Sequence, residues 1–236
     1  MSYIQFNDYD SSDDLIITKP IVRPTWGKTV NEVTLPGNPR SVMQQLDCYE
    51  NADFTISAVI ADASPENVHR IYSSLCGFGK LLISTAPDEV LDVWIKPITP
   101  EPVALLMAEI DINVTARPFA TALSPTDVAL SASYTEINVE GTAFAAPIIT
   151  VTATTGTAVI TVNDEDFQVV VPSNLSSKEF IIDCDKQVSY YLDGGNKVSI
   201  SNITFGDYPL LHTGKNYCKY SGTAAAAQVE YYERWL

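Results

Sequence analysis

At 236 residues the chain is long enough for one large or two small domains, each with a core of its own. Apolar residues make up 46% and charged residues 18%, the composition of a globular rather than a disordered protein. The formal net charge of −15 argues against a nucleic-acid or anionic-membrane partner, since both call for a basic face.

The N-terminus, MSYIQFNDYDSSDD, has no basic segment leading into an apolar run, and no apolar run approaches bilayer length. The expectation is a protein made and folded in a cytoplasm, with no membrane insertion. Asn113, Asn174 and Asn202 head N-x-S/T sequons, which carry no weight without a secretory signal. Cys48, Cys76, Cys184 and Cys218 are far apart and form no C-x-x-C pair, which excludes the usual zinc and thioredoxin-like spacings. They read as free, mostly buried thiols.

In chain order, residues 3–30 hold short apolar runs, notably 15–17 and 21–22, broken by Pro20 and Pro24; they read as short or edge strands. The stretch 35–40, LPGNPR, is a strong turn signal. Phe54, Ile56, Ala58 and Ile60 alternate with polar or small neighbours and predict a strand. Residues 61–79 predict the one clear helix. Ser64 stands at the N-cap position, Pro65 at the first helical position, and Glu66 at the positive end of the dipole. Val68, Ile71, Tyr72 and Leu75 share one face, and Gly77 supplies a left-handed stop. Strands follow at 80–84, 90–96 and 110–114, so this half reads as an α+β domain with one helix packed on an antiparallel sheet.

Residues 117–133, with Pro118, Ser124, Pro125 and several alanines, lack periodicity and form the best linker candidate. Short alternating strands come next at 134–139, 148–153, 158–162, 167–171, 179–182, 188–192 and 197–200. AVITV-NDED-FQVVV reads as a hairpin with a four-residue polar loop, and DGGN (193–196) as a tight turn. Regular short strands of this kind are the signature of a β-sandwich. The C-terminal QVEYYERWL remains open on pattern alone. Val229, Tyr231 and Trp235 alternate as in a strand, while Ala224 to Ala227 and the spacing of Val229, Tyr232 and Leu236 also suit a helix.

PLLHTGKNYCKYSG, followed by the aromatic-rich ERWL terminus, resembles the end of siphophage distal tail proteins, the hub subunits that join a tail tube to the tip or baseplate. In that family an apolar residue, a Gly, an Asn and an alternating strand recur near the C-terminus; Leu211, Gly214, Asn216 and Tyr217 to Tyr220 occupy the pattern here. GTAFAAPIITV, FIIDCDKQVSYY and PLLHTGKNY come in the family's order, and SPENVHRIYSSLCGFGKLLIS resembles its N-terminal helix and following strand. The turn at 35–41 departs from the more glycine-rich loop expected there. The resemblance tips the terminal segment to strand. It implies a mostly β (α+β) fold, with a split-barrel-like antiparallel N-terminal domain carrying one helix (1–122) and a galectin-like β-sandwich (123–236).

Candidate sites are few. Asp183 and Asp185, two apart at a strand end, would face the same side as paired carboxylates can for acid–base or glycosidic chemistry; no differently tuned partner stands by, and a structural or solvated role is the reading. Asn163, Asp164, Glu165 and Asp166 offer oxygens for calcium but lack the glycine and distal glutamate of an EF-hand loop, and read as a hairpin tip. His69 and His212 are the only histidines, too few to suggest a metal site or a Ser/His/Asp triad. Trp94, Trp26, Tyr190 and Tyr191 are the candidates for a sugar-stacking platform; packing is the preferred reading, since a galectin-type pocket wants a His/Arg/Asn grouping around a Trp.

The expectation is therefore a structural protein rather than an enzyme, with no catalytic residue, metal or cofactor. As the resemblance implies, it is the distal tail hub of a siphovirus or prophage. It would form a homo-hexamer whose partners are tail tube, tape-measure, tail-tip or tail-associated, and receptor-binding or baseplate proteins. Sequence-specific nucleic-acid binding is not expected. Such a protein resides in the virion after assembly in the bacterial host cytoplasm. The alternative is a carbohydrate-binding, lectin-like adhesion module.

Overall fold

The computed structural model describes residues 2–34, 41–98, 101–104 and 107–236. The chain divides into one unit of Met1–Thr121 with Leu236 and another of Ala122–Trp235.

The first unit carries β1 (Ile4–Phe6), β2 (Tyr9–Asp10), β3 (Leu15–Ile17), β4 (Lys28–Val33), β5 (Val42–Tyr49), β6 (Ala52–Ile60), α1 (Pro65–Ser74), β7 (Gly77–Ile83), β8 (Ala86–Ile95), β9 (Glu101–Ala104) and β10 (Met107–Ala122). Its main sheet runs β2-β1-β7-β8-β10-β6-β3. The alternation read in the sequence is the alternation of burial. Ile56, Ala58 and Ile60 on β6, and Ala108, Ile110, Ile112 and Val114 on β10, point inward, with Ile112 directly opposite Ile56. Their neighbours Thr55, Asp111 and Asn113 point out. No strand forms at residues 21–22. The predicted turn at 35–40 lies outside the described residues.

Helix α1 is shorter than the 61–79 predicted. Gly77, Phe78 and Gly79 pair with Ile95, Trp94 and Val93, so the glycine-rich segment joins the sheet, where its poor helix propensity costs nothing. Ile71 and Leu75 are fully buried, as the apolar stripe requires. Ser64 does not cap with its hydroxyl. Asp62 does the work two residues earlier, its Oδ1 accepting the Ser64 amide at 3.1 Å. Leu75 is the C-cap, and Gly77, at φ 90, opens β7 instead of ending the helix.

Strands β4 and β5 form a separate two-stranded sheet, its residues mostly exposed. At its base the Tyr49 ring meets Phe119 edge-on at 5.0 Å. Phe119 takes φ 74, which a bulky residue adopts only where its surroundings hold it.

The second unit carries β11 (Thr126–Ala129), β12 (Thr135–Val139), β13 (Ile148–Val162), β14 (Glu165–Val171), β15 (Lys178–Asp183), β16 (Val188–Asp193), β17 (Asn196–Ser199), β18 (Thr204–Phe205), β19 (Gly214–Tyr231) and β20 (Arg234–Trp235). The presumed linker at 117–133 is mostly strand: residues 117–122 complete β10, and β11 pairs with residues 228–231 of β19, leaving 123–125 as the connection. Alanine and proline disguise it because strand propensity is largely a matter of what the neighbouring strand offers.

Two long strands, β13 and β19, organise this unit. The N-terminal half of β13 pairs with β15 and with the C-terminal half of β19; its other half pairs with β14 and with the beginning of β19. The sequence suggested separate strands at 148–153 and 158–162 because the period-2 phase slips between them. Ile149, Val151 and Ala153 are buried, and then Ala158, Ile160 and Val162. A bulge absorbs the slip, and on its two sides β13 takes different partners, β15 before it and β14 after it. Gly156 at φ 121 and Gly222 at φ 70 make the corner, and a Cβ on Gly222 would strike the Thr157 carbonyl. One core fills the space between the layers, with Phe167, Phe180, Ile137 and Val229 among its members. The alanine run is extended, Ala226 and Ala227 lying opposite Thr152 and Val151. Strand is thus the outcome for the segment that the pattern left open.

Candidate functional site

The acidic pair named from the sequence does not share a face. Asp183 ends β15 and is buried, its carboxylate accepting from the Lys186 amide at 3.0 Å and the Lys186 ammonium at 2.8 Å. Burial by itself would raise this carboxyl; the two Lys186 bonds, with further charge from Lys186 and Lys197, hold it below the ordinary carboxylate range. Asp185 lies beyond the strand end, exposed, and bonds Arg234 at 2.7 Å. Between them, Cys184 is buried, and burial together with the charges of Asp183 and Asp185 pushes its thiol up to about 12. A thiol so placed stays protonated at neutral pH and is inert.

The NDED tetrapeptide is tighter than predicted. Val162 pairs with Glu165, so the turn is Asn163-Asp164, at φ 50 and 68, and not a four-residue loop. Three of its oxygen-bearing side chains are engaged: Tyr134 donates to Asp164 at 2.7 Å, Thr161 to Asp166 at 2.7 Å, and the Tyr217 amide to Asn163 at 2.9 Å. His69 is exposed on α1 and His212 in the loop before β19, in different units. No cluster of three or more metal-ligating side chains occurs among the described residues. The aromatic quartet is likewise dispersed. Trp26 is buried in the first unit, Trp94 is on β8, and Tyr190 and Tyr191 are on β16. Lys197 covers the Tyr190 ring at 4.3 Å and Lys178 the Tyr191 ring at 5.4 Å.

What the structure does bring together are the stretches that carried the family resemblance. Glu233, in the terminal ERWL, accepts from the amides of Glu140 and Gly141 at 3.1 and 2.7 Å. Ala143 donates its amide to the Arg234 carbonyl, and the Arg234 guanidinium reaches Asp185. GTAF, DCD and ERW thus meet at one locus. Gly141 is required there because a Cβ would overlap the backbone of Arg234.

Asn216 is the second lock. It is fully buried on β19; its Oδ1 accepts from the His212 amide and from Asn163 Nδ2, both at 2.8 Å, and its Nδ2 donates to the carbonyls of His212 and Gly214 at 2.7 and 3.0 Å. The Asn in the family pattern therefore holds the loop 211–214 and the β13–β14 turn against β19. Ala145 and Leu211 exchange amide–carbonyl bonds beside it. The role of Glu233 was missed in the sequence. Its signal is slight, a lone carboxylate in an aromatic terminus.

In the first unit the outward face of β10 and β6 is polar and acidic. Thr55 bonds Asn113 at 3.0 Å, Ser57 bonds Asp111 at 2.8 Å, Thr115 bonds Asp53 at 2.5 Å, and Glu109 continues the row. Elsewhere in this unit Asp14 accepts from Tyr9 at 3.0 Å and from Arg70 at 2.6 Å, tying the N-terminal strands to α1. Burial and the Asp14 carboxylate both push the Tyr9 hydroxyl far above its ordinary range. Among the described residues, nothing in these arrangements joins a nucleophile to a base.

Comparison with known proteins gives the scaffold relatives. Residues 140–235 match the family described as "Siphovirus-type tail component, C-terminal domain". Among solved structures, the crystal structure of the SPP1 phage Dit (gp 19.1) protein, described as a paradigm of hub adsorption apparatus in Gram-positive infecting phages, matches over 100% of both chains with a TM-score of 0.80 at 12% identity. At that identity the likeness is one of fold. The baseplate of phage p2 in its activated conformation gives TM-scores of 0.49 with Sr and 0.48 with Ca. Identities there are 9% and 8%, over 98% and 99% of this chain and 98% of each matched chain, a likeness too weak to carry an argument. No curated protein matches the sequence.

Proposed function

With its C-terminal domain that of a siphovirus-type tail component and its full-length fold that of the SPP1 Dit protein, we infer that the chain is a distal tail hub, a structural subunit of a phage or prophage tail. The N-terminal domain, residues 1–122, closes into a hexameric ring that continues the channel of the tail tube. The sandwich, residues 123–236, carries the tail-tip, baseplate or receptor-binding proteins. The tube, tape-measure and tail-associated proteins are its other partners, and assembly takes place in the host cytoplasm. The single observation that carries this reading is the TM-score of 0.80 over the whole of both chains, a likeness of fold that takes in the residues before 140 as well as the 140–235 matched by the family.

Two further features support it. The exposed row of Asp53, Glu109 and Asp111, with Lys19 beside it, is net acidic, which suits the wall of a channel that DNA must traverse without sticking. Asp183, Asp185, Asn163, Asp164, Asp166, Asn216 and Glu233 are all engaged in holding the second unit together, which suits a structural role. The test is immunogold electron microscopy on particles released from the encoding strain. Gold at the tail end distant from the capsid is expected; label on the capsid, or along the whole tube, would contradict the assignment.

A further inference from the structure

The β4–β5 hairpin is an incomplete structure by itself. A two-stranded ribbon exposed on both faces buries too little to be stable alone in water. Its register places Val30 beside Gln45 and Glu32 beside Met43, so one face presents Val30, Glu32 and Met43 together. Val30 is 50% and Met43 70% exposed, apolar side chains held on either side of a carboxylate.

A surface of matching chemistry lies on the outward face of the main sheet of the same unit. Phe78 on β7 and Trp94 on β8 are a cross-strand pair with rings stacked at 6.2 Å. Phe78 is 76% and Trp94 38% exposed, so the two rings form a contiguous apolar patch of the kind that marks interaction surfaces. Lys96, two residues on along the same face, sets its ammonium 5.9 Å from the Trp94 ring. The platform thus combines two aromatic faces with a cation, in a chain of 29 acidic and 14 basic residues.

We propose that the Phe78–Trp94–Lys96 platform receives the β4–β5 hairpin of a second copy of this chain. Val30 and Met43 lie on the two rings, the methionine sulfur making the contacts that thioethers favour with aromatic rings. Glu32 meets Lys96. The two surfaces differ and both belong to one subunit, which is the heterologous, head-to-tail arrangement that a closed ring demands. The inference rests on the ring reading above and assigns its contact residues.

Light scattering and native mass spectrometry of the full-length chain, across a concentration series, measure the concentration at half assembly. Phe78→Ala with Trp94→Ala raises it at least about tenfold, as loss of an aromatic anchor does. Glu32→Lys and Lys96→Glu each raise it, and the two together restore it to within about threefold of the parent, because the charge pair is remade. All sites are on the surface, so circular-dichroism melts stay within a few degrees of the parent and identify any misfolded variant. Assembly of the aromatic double variant at the parent's concentrations overturns the proposal, as does a charge swap no better than its worse single variant. A parent chain that never assembles overturns the ring reading along with it.

Discussion

Replacing Asn216 with alanine tests what holds the second domain together. The side chain is fully buried and makes four short hydrogen bonds, two accepted and two donated. Truncation strands the His212 amide and Asn163 Nδ2 as donors and leaves the His212 and Gly214 carbonyls to find water. The four bonds are part-buried, so each stranded group costs about 1–3 kcal/mol, and the carbonyls, with a second lone pair to offer water, recover part of theirs. The two donors dominate, giving a loss of roughly 3 kcal/mol, a large share of the ~5–15 kcal/mol stability of an ordinary domain. For a domain the size of the second unit, between the small and large ranges, that lowers the melting temperature by roughly 10–15 °C. Differential scanning calorimetry reads it, and the transition that moves should be that of the second domain. Asn163→Ala removes one of these four bonds together with the bond from the Tyr217 amide, and in a double-mutant cycle the two substitutions are less than additive because they share the Asn163–Asn216 bond. A shift below about 2 °C for Asn216→Ala would mean that the lock carries no load, and the reasoning fails.

Other consequences follow from the same geometry. Gly222→Ala places a Cβ against the Thr157 carbonyl at a left-handed backbone position, so it should lower the melting temperature by more than Asn216→Ala or prevent soluble expression; a melt within 3 °C of the parent, roughly 1 kcal/mol, would refute the corner. Asp183 has a folded-state pKa below its unfolded value, so its contribution to stability is present above about pH 4 and lost as pH falls through the folded value. Asp183→Asn therefore flattens the fall in stability between about pH 5 and 2, and urea titrations with parallel pH profiles for parent and variant would contradict this. With Cys184 and Cys218 pushed up to about 12 and 11 by burial, an aromatic disulfide reagent at pH 8 should label exposed Cys48 and Cys76 in the native protein and all four thiols in guanidinium; rapid native labelling of Cys184 would show that its pocket opens.

Much of the fold was legible because burial follows period two. Phe54 to Ile60 and residues 110–114 read directly as half-buried strands, the face of α1 follows from Val68, Ile71, Tyr72 and Leu75, and Val229 to Tyr231 needed the family resemblance to settle on strand. What escaped was of two kinds. Where a strand bends, as at Gly156 and Gly222, the phase of the pattern slips and one strand looks like two. Where a partner strand decides the conformation, as for Gly77 to Gly79 against β8 or residues 126–129 against β19, local propensity points the wrong way. The locks were half legible. Asn216 falls on an inward position of an alternating strand, and a polar residue there announces a buried hydrogen-bond network. Glu233 gives no such sign, since its partners are backbone amides some ninety residues earlier in the chain. Asp183 and Asp185 look like a pair in one dimension and part company because β15 ends between them. The exposed ring of Phe78 is announced only by its phase, in step with exposed Lys80 and out of step with buried Leu81 and Ile83.

The ring is the central claim, and negative-stain class averages with native mass spectrometry of the purified chain over a concentration series test it most directly. Six-fold rings on the grid and a mass six times that of the 25.8 kDa chain, populated at the expense of monomer as concentration rises, are the predicted result. A twofold-symmetric dimer at every concentration, with no six-fold ring even beside tail-tip partners, would contradict the account.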